Sequence, residues 1–358
     1  MKKEKLNFAI IGLGNIGKEH AIGAYAANFK LNLPFTLNLK TVVSRKQLDY
    51  DLYGVENVFD SEIVMHDKEI HFVDICTTNE AHREFVEKAA MFKKPVYCEK
   101  PLAASYEEAV KMAKAVEESK VINAVAFVYR FMPAVRLLKE EIKKGTIGEI
   151  IDYKATLYHK SYLDPKKKRS WRTLESSGGG ALLDLGVHLI DLIEFTLGKI
   201  EKVRCTTSIF FAERTMVDEI ASCSLMLENG IKGSIEVSRI FADSIEPTSL
   251  TIYGTKGSLK FNTLTPYILQ VYNYETDCTE QKSSKGIKDI LQYYPDERGS
   301  LGSHQDGHIA SIANFARLVY NGNQEEDELT PTFKDALKVQ KVIKACYDSA
   351  SQNKDVIV

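Results

Sequence analysis

The sequence predicts an α/β protein: an N-terminal doubly wound parallel sheet, then a second α/β domain with a large, mostly antiparallel open sheet. Three observations carry this expectation. Apolar strand-like runs alternate with helical patterns over residues 6–128. A glycine-rich turn, Gly12-Leu-Gly-Asn-Ile-Gly17, joins the first of those strands to the first helix. Beyond residue 130, hairpin signals follow one another without helices between them. A length of 358 residues suits two domains. They are expected at 1–128, a nucleotide-binding domain, and 129–358, a substrate and oligomerisation domain whose C-terminal helix can return to the first.

Residues 6–11 (LNFAII) read as a buried strand that runs directly into the glycine turn. Gly12 makes the tight turn and Gly17 allows helix and strand to pack closely. Gly14, followed by Asn15 and Ile16, lets backbone N–H groups at a helix N-terminus reach a pyrophosphate. Other nucleotide cofactors use similar turns, so the turn alone leaves the cofactor open. Residues 36–43 form the second strand, which ends in Ser44-Arg45-Lys46. An NAD site would place a carboxylate there. A hydroxyl followed by cations suits a 2′-phosphate, so NADP is favoured over NAD, with a solvated basic turn as the alternative.

Residues 70–76 are a further strand, and Thr77-Thr78-Asn79 lies at its C-terminal end, where ligands bind in parallel sheets. A helix over 81–92 leads to a strand over 95–98 and to Glu99-Lys100-Pro101. The proline favours an extended Lys100 at the strand end. Ser105 and Glu108 have the spacing of a capping box. A last strand, over 121–128, delivers Tyr129-Arg130-Phe131 to the sheet edge.

In the second half a helix over 133–144 ends at Gly145, and Ile151, Tyr153, Ala155 and Leu157 then alternate as on a half-exposed strand. Runs over 221–227 and 231–237 flank a Glu228-Asn229-Gly230 turn. Further strands are expected over 249–253, 258–261 and 267–274, helices near 308–320 and 333–349, and a surface loop over 279–303. Between them lies GGGALLDLGVHLID, residues 178–191. Read as an α-helix, it sets Asp184 and His188 four residues apart on one face. This is an acid/base pair beside a close-approach glycine loop, or a solvent-facing Asp with a satisfied His. Upstream, Tyr158, Tyr162, Trp171 and Arg172 are the flat faces and multidentate donors of a carbohydrate pocket. Lys166–Arg169 reads as a solvated run or as a contact for an anionic substrate.

A net charge of −2 gives no electrostatic reason to expect nucleic acid or an anionic membrane as partner. The six cysteines are scattered, without CxxC or Cys/His spacing for a metal, and read as reduced thiols. No metal is expected. Asn15, Lys18, Glu19 and His20 interrupt the early apolar run, which argues against a signal peptide and for a cytoplasmic protein.

GLGNIGxxH (Gly12 to His20), TTNxxH (Thr77 to His82), EKP (Glu99 to Pro101), YRF (129–131) and GGGxLLDLGxHxID (178–191) occur in the order found in the glucose–fructose oxidoreductase/inositol dehydrogenase/rhizopine-catabolism (Gfo/Idh/MocA) family, which this chain resembles over residues 6–350. The resemblance implies a Rossmann domain, and an open sheet that makes a homodimer or homotetramer contact. It implies Lys100, Asp184 and His188 as catalytic residues. Cofactor would lie near Thr77, Asn79, Glu99 and Arg130, with Thr78 and His82 in the same motif. It also implies transfer of a hydride between nicotinamide C4 and a secondary alcohol or carbonyl of a sugar or polyol. His188, whose ordinary pKa lies nearest neutrality, would be the acid/base. Lys100 would stabilise charge on the reacting oxygen, and Asp184 would anchor a neighbouring hydroxyl and orient the imidazole. Lys100, Tyr158, Trp171, Arg172, Asp184 and His188 would line the substrate pocket. Thr78 departs from a frequent proline, and Lys93 from a frequent glycine at a helix end. Two other activities remain open, an NAD-retaining glycosidase and a redox-inactive dinucleotide-binding regulator; the intact catalytic trio argues against the second.

Overall fold

The computed structural model describes residues 3–48, 54–242, 247–287, 292–324 and 327–358. Contacts divide the chain into two compact units, Met1–Phe131 with Leu291–Leu337, and Met132–Ile290 with Lys338–Val358.

The first unit holds a six-stranded parallel sheet in the order β3-β2-β1-β4-β5-β6. Its strands are β1 (Glu4–Ile11), β2 (Phe35–Val43), β3 (Glu56–Val58), β4 (Phe72–Ile75), β5 (Val96–Cys98) and β6 (Asn123–Val125). Four helices belong to the same stretch: α1 (Asn15–Lys30), α2 (Ser61–His66), α3 (His82–Met91) and α4 (Tyr106–Ser119). The strand order reverses between β1 and β4, so the glycine turn after β1 and Thr77-Thr78-Asn79 after β4 come out side by side at the switch point. Short β3 and α2 are not evident in the sequence, because segments of three and six residues carry too little periodicity to read. The strand expected over 121–128 ends at Val125, and Val128–Phe131 is a 3₁₀ turn. At the end of α3, Lys93 has φ +58°, the left-handed geometry that explains why glycine would suit that position. Ser105 accepts a hydrogen bond from the Glu108 N–H (3.3 Å), as the capping spacing predicts.

The division of the chain differs from the expected 1–128 and 129–358. Helix α7 (Ser303–Asn321) and the start of α8 (Phe333–Gln352) belong to the first unit. Ile309, Ile312, Ala313, Phe315 and Ala316 join Phe8, Phe72 and Tyr97 in one core. The Tyr97 hydroxyl donates to Ser311 Oγ at 2.7 Å. An apolar stripe reveals that a helix has a buried face, but not which sheet it covers.

The second unit is built on a nine-stranded sheet, β14-β13-β12-β11-β7-β10-β9-β8-β15. Its strands are β7 (Ile150–Tyr158), β8 (Ile200–Ser208), β9 (Ile220–Leu227), β10 (Lys232–Ser238), β11 (Ser249–Gly254), β12 (Gly257–Asn262), β13 (Ile268–Asn273), β14 (Cys278–Ser283) and β15 (Val356–Ile357). All pairings are antiparallel except β7 with β10. Helices α5 (Pro133–Lys143) and α6 (Val187–Leu197) pack on this sheet, over an apolar face that includes Tyr153, Leu157, Leu225, Val237, Ile252 and Leu259. The opposite face carries Lys154, Thr156, Ser224, Glu236 and Thr251, half-buried or exposed. Gly230 in the β9–β10 hairpin has φ +84°, which the Asn-Gly signal requires. Residues 279–283, expected within a surface loop, belong to the edge strand β14 instead; five of the strand's six residues are exposed, so it shows no apolar alternation. Residues 288–291 of that expected loop lie outside the described residues.

Candidate functional site

In the first unit the glycine turn separates into two kinds of position. A Cβ on Gly17 would lie 2.2 Å from the Gly12 carbonyl oxygen. One on Gly12, at φ +97°, would lie 2.9 Å from the Cys76 carbonyl oxygen. The fold itself excludes side chains there. At Gly14 a Cβ would meet no atom within 4 Å. Gly14 is the N-cap of α1, makes no side-chain cap, and is followed by Asn15 and Ile16 with no acid in the first turn. The first-turn N–H groups, which have no partner within the helix, and its positive end fit a pyrophosphate. Ser44 is half-buried, with its N–H on the Val58 carbonyl (3.0 Å), and Arg45 and Lys46 are exposed.

At the end of β4, Thr77 and Thr78 are half-buried, and buried Asn79 opens a 3₁₀ turn. His82, expected at the cofactor, is wholly buried. Its ring nitrogens lie 3.1 Å from the Leu102 carbonyl and 3.2 Å from the Thr77 carbonyl, so it sets these two turns from beneath. Burial pushes its pKa down. Arg130 is buried too, with Asp335 at 3.8 Å.

Glu99 is held by a residue whose role is not legible in the sequence. His20, on α1, has Nδ1 2.9 Å from Asp74 Oδ2 and Nε2 3.0 Å from Glu99 Oε1. All three are buried. Burial presses His20 toward the neutral form, but the Asp74 carboxylate and the Cys76 thiol outweigh it and raise its pKa well above the usual value. Burial alone would raise the Glu99 pKa, but the bond and charge of His20, with Lys100, more than reverse it and hold it below the usual value. The other Glu99 oxygen accepts the Lys100 N–H at 3.0 Å, ahead of a cis Lys100–Pro101 peptide. Lys100 is half-buried. The signal that could have found this cluster is Asp74 itself, a carboxylate inside the buried strand FVDI, which demands a partner.

In the second unit the segment with Asp184 and His188 is helical but not uniformly α. Leu182–Gly186 is a π-helical turn that passes into α6 at Val187. The i→i+5 bonding fits an extra residue into the turn, as such bulges do. Gly186 leaves the space in which a Cβ would lie 2.8 Å from Leu182 Cδ1. The N-terminus is capped from a distance: Asp218 Oδ2 accepts the Leu182 N–H (2.7 Å) and Oδ1 accepts the Tyr347 hydroxyl (2.9 Å). Gly180, at φ +116°, is the position where a Cβ would strike Asp218 Oδ1. Burial lifts the Asp218 carboxyl to about 6, against the two hydrogen bonds.

Asp184 is 1% exposed. Expected to face a substrate hydroxyl and the imidazole, it is paired instead with two guanidiniums. Arg172 Nε lies 3.3 Å from Asp184 Oδ2, and Arg239 pairs with the same oxygen. Burial, and then the Arg172 charge, depress the Arg239 pKa, and Asp184 supplies the counter-ion. Arg172 also stacks on Trp171, 4.2 Å from the ring centroid. His188 is half-buried at the start of α6. Tyr158 donates to Glu236 (2.6 Å) and packs on Phe241. Lys166–Arg169 is exposed. Arg239 and Asp218 carry no signal in the sequence because neither stands in a motif; each meets the site only through sheet register.

A family model described as "Oxidoreductase family, NAD-binding Rossmann fold" matches residues 6–127, and the "GFO/IDH/MocA C-terminal domain" matches residues 135–260. Levoglucosan dehydrogenase of Pseudarthrobacter phenanthrenivorans is 29% identical, over 98% of this chain and 97% of its own. D-apiose dehydrogenase of Rhizobium rhizogenes is 28% identical over 87% and 86%. The solved levoglucosan dehydrogenase complex with NADH and levoglucosan superposes with a TM-score of 0.90 at 28% identity, covering 99% of this chain and all of that one. No helix of the described residues is long and apolar enough to cross a membrane. With both of its halves matched, the chain belongs to the GFO/IDH/MocA family of oxidoreductases, whose N-terminal domain is an NAD-binding Rossmann fold.

Proposed function

We propose that the chain is an NAD(P)-dependent dehydrogenase or reductase acting on a secondary alcohol or carbonyl of a sugar, a polyol or a sugar derivative. The observation that carries the reading is the likeness along essentially the full length of both chains to a sugar dehydrogenase solved with NADH and its sugar. The uncapped, acid-free N-terminus of α1 beyond Gly14 is the cradle in which Asn15 and Ile16 would hold the pyrophosphate. A bound nicotinamide supplies or accepts hydride. His188 takes the hydroxyl proton on oxidation and returns it on reduction. The Lys100 ammonium donates a hydrogen bond to the oxygen on which charge accumulates, from a backbone pinned by Glu99. Asp184 holds Arg172 and Arg239 as donors to the substrate's other hydroxyls. Replacing Lys100 by Ala is expected to lower kcat about 100- to 1000-fold while dinucleotide still binds; near-normal turnover in a steady-state assay would remove the assignment.

For the cofactor, exposed Arg45 and Lys46 next to half-buried Ser44 support NADP over NAD. Titration of nicotinamide fluorescence with NADPH and NADH tests this. NADPH is expected to bind more tightly, and Arg45→Ala to weaken it about tenfold, the value of one hydrogen bond to a charged group. Equal affinities, unchanged by the substitution, would make Ser44-Arg45-Lys46 a solvated turn.

A further inference from the structure

Cysteines far apart in the sequence meet inside the second unit. The Sγ atoms of Cys205 on β8, Cys223 on β9 and Cys346 on α8 lie within 4.8 Å of one another, all buried, although their spacing in the sequence shows no cluster. Cys205 and Cys223 face each other across the antiparallel pair. The Cys205 N–H donates to Ser349 Oγ (3.0 Å) rather than into β9. This marks the pair as the non-hydrogen-bonded kind, whose Cα atoms approach to about 4.5 Å, within the range a disulfide spans. Their sulfurs stand 3.1 Å apart. Two thiolates on one zinc ion, each at about 2.3 Å, would stand nearer 4 Å apart, and no histidine or carboxylate completes the group among the described residues. The geometry suits a sulfur–sulfur bond better than a shared metal.

We propose that this trio is a peroxide-reactive thiol site in which Cys205 and Cys223 close into a disulfide across β8 and β9. Cys205 is the nucleophile: the Cys223 thiol donates to its sulfur, and Cys346 lies against the same group. Hydrogen bonds from both thiols favour the thiolate there, against burial. The Cys205 sulfur attacks one oxygen of hydrogen peroxide, the O–O bond breaks, hydroxide leaves, and the sulfur is oxidised by two electrons to a sulfenic acid. The Cys223 sulfur then attacks that sulfur, the S–O bond breaks and water leaves with the thiol proton. In sum, two thiols and one hydrogen peroxide give one disulfide and two waters.

The test treats the full chain with hydrogen peroxide, alkylates the remaining thiols under denaturing conditions and maps the peptides by mass spectrometry. The expected result is a Cys205–Cys223 linked peptide lighter by two hydrogens, reversed by dithiothreitol. Cys223→Ala should abolish the link, and Cys346→Ala should preserve it. If Cys223→Ala fails to fold, wild-type mapping alone still decides. All six thiols remaining alkylatable would overturn the proposal, as would oxidation confined to exposed Cys278 or a link made to Cys346. Zinc or copper copurifying in stoichiometric amount and shielding the trio until chelated would overturn it too.

Discussion

The two units each hold a charged trio at or beside a candidate catalytic residue, and the trios are of opposite construction. In the first, one imidazolium, His20, sits between two carboxylates, Asp74 and Glu99. In the second, one carboxylate, Asp184, sits between two guanidiniums, Arg172 and Arg239. The first trio is closed: every member is buried, and its outer carboxylate is spent on the Lys100 backbone. The second is open at one end, because the Arg172 side chain is 40% exposed. A closed trio fixes a backbone. An open one keeps a donor that can exchange solvent for a ligand hydroxyl, as the proposed function requires.

The comparison breaks most visibly at its two cations. His20→Ala strands two buried carboxylates and should cost about 3–5 kcal/mol. Arg172→Ala removes a half-exposed partner and should cost no more than about 1 kcal/mol. Urea denaturation of both variants measures the difference; equal losses would mean that the trios are alike.

A smaller effect concerns the helix cap. The Asp218 carboxyl is raised in the folded state to about 6, above its unfolded value. Protonation therefore favours the fold fully below the unfolded pKa, and this contribution is lost as pH rises through about 6. Asp218→Asn keeps an acceptor for Leu182 without the charge. Relative to wild type it should gain up to about 3 kcal/mol between pH 4 and 7, with 1.36 kcal/mol per unit. A Tm difference that stays constant over that range would refute the raised carboxyl.

The glycine turn gives the smallest and sharpest pair. Gly17→Ala, facing the Gly12 carbonyl, should destabilise by about 1–3 kcal/mol. Gly14→Ala has open space, so its Tm should stay near that of wild type while dinucleotide affinity falls. A stability loss at Gly14 equal to that at Gly17 would show that the fold, not a ligand, demands both.

Much of this protein follows from its residues in local order. The alternation of strands and helices sets the parallel sheet, because burial on both faces makes each strand a continuous apolar run. Gly12, Gly14 and Gly17, the Lys100 turn and the four-residue step from Asp184 to His188 are local patterns, so they could be read without coordinates. Lys93 at φ +58° even shows why the resemblance expects a glycine there.

What the chain order does not carry is partnership. Edge strand β14 is almost wholly exposed and so has no alternation to read. Helix α7 has an obvious apolar stripe, yet only packing determines that it covers Phe72 and Tyr97 rather than the second sheet. Asp218 becomes the cap of a helix more than thirty residues earlier, and Arg239 the counter-ion of Asp184, through strand register alone. Periodicity and turn chemistry act over a few residues, so the sequence determined the elements and the reactive side chains they carry. Burial of charge is settled between distant segments, so only the tertiary structure decided which charges meet, and with them the environment of Glu99 and of Asp184.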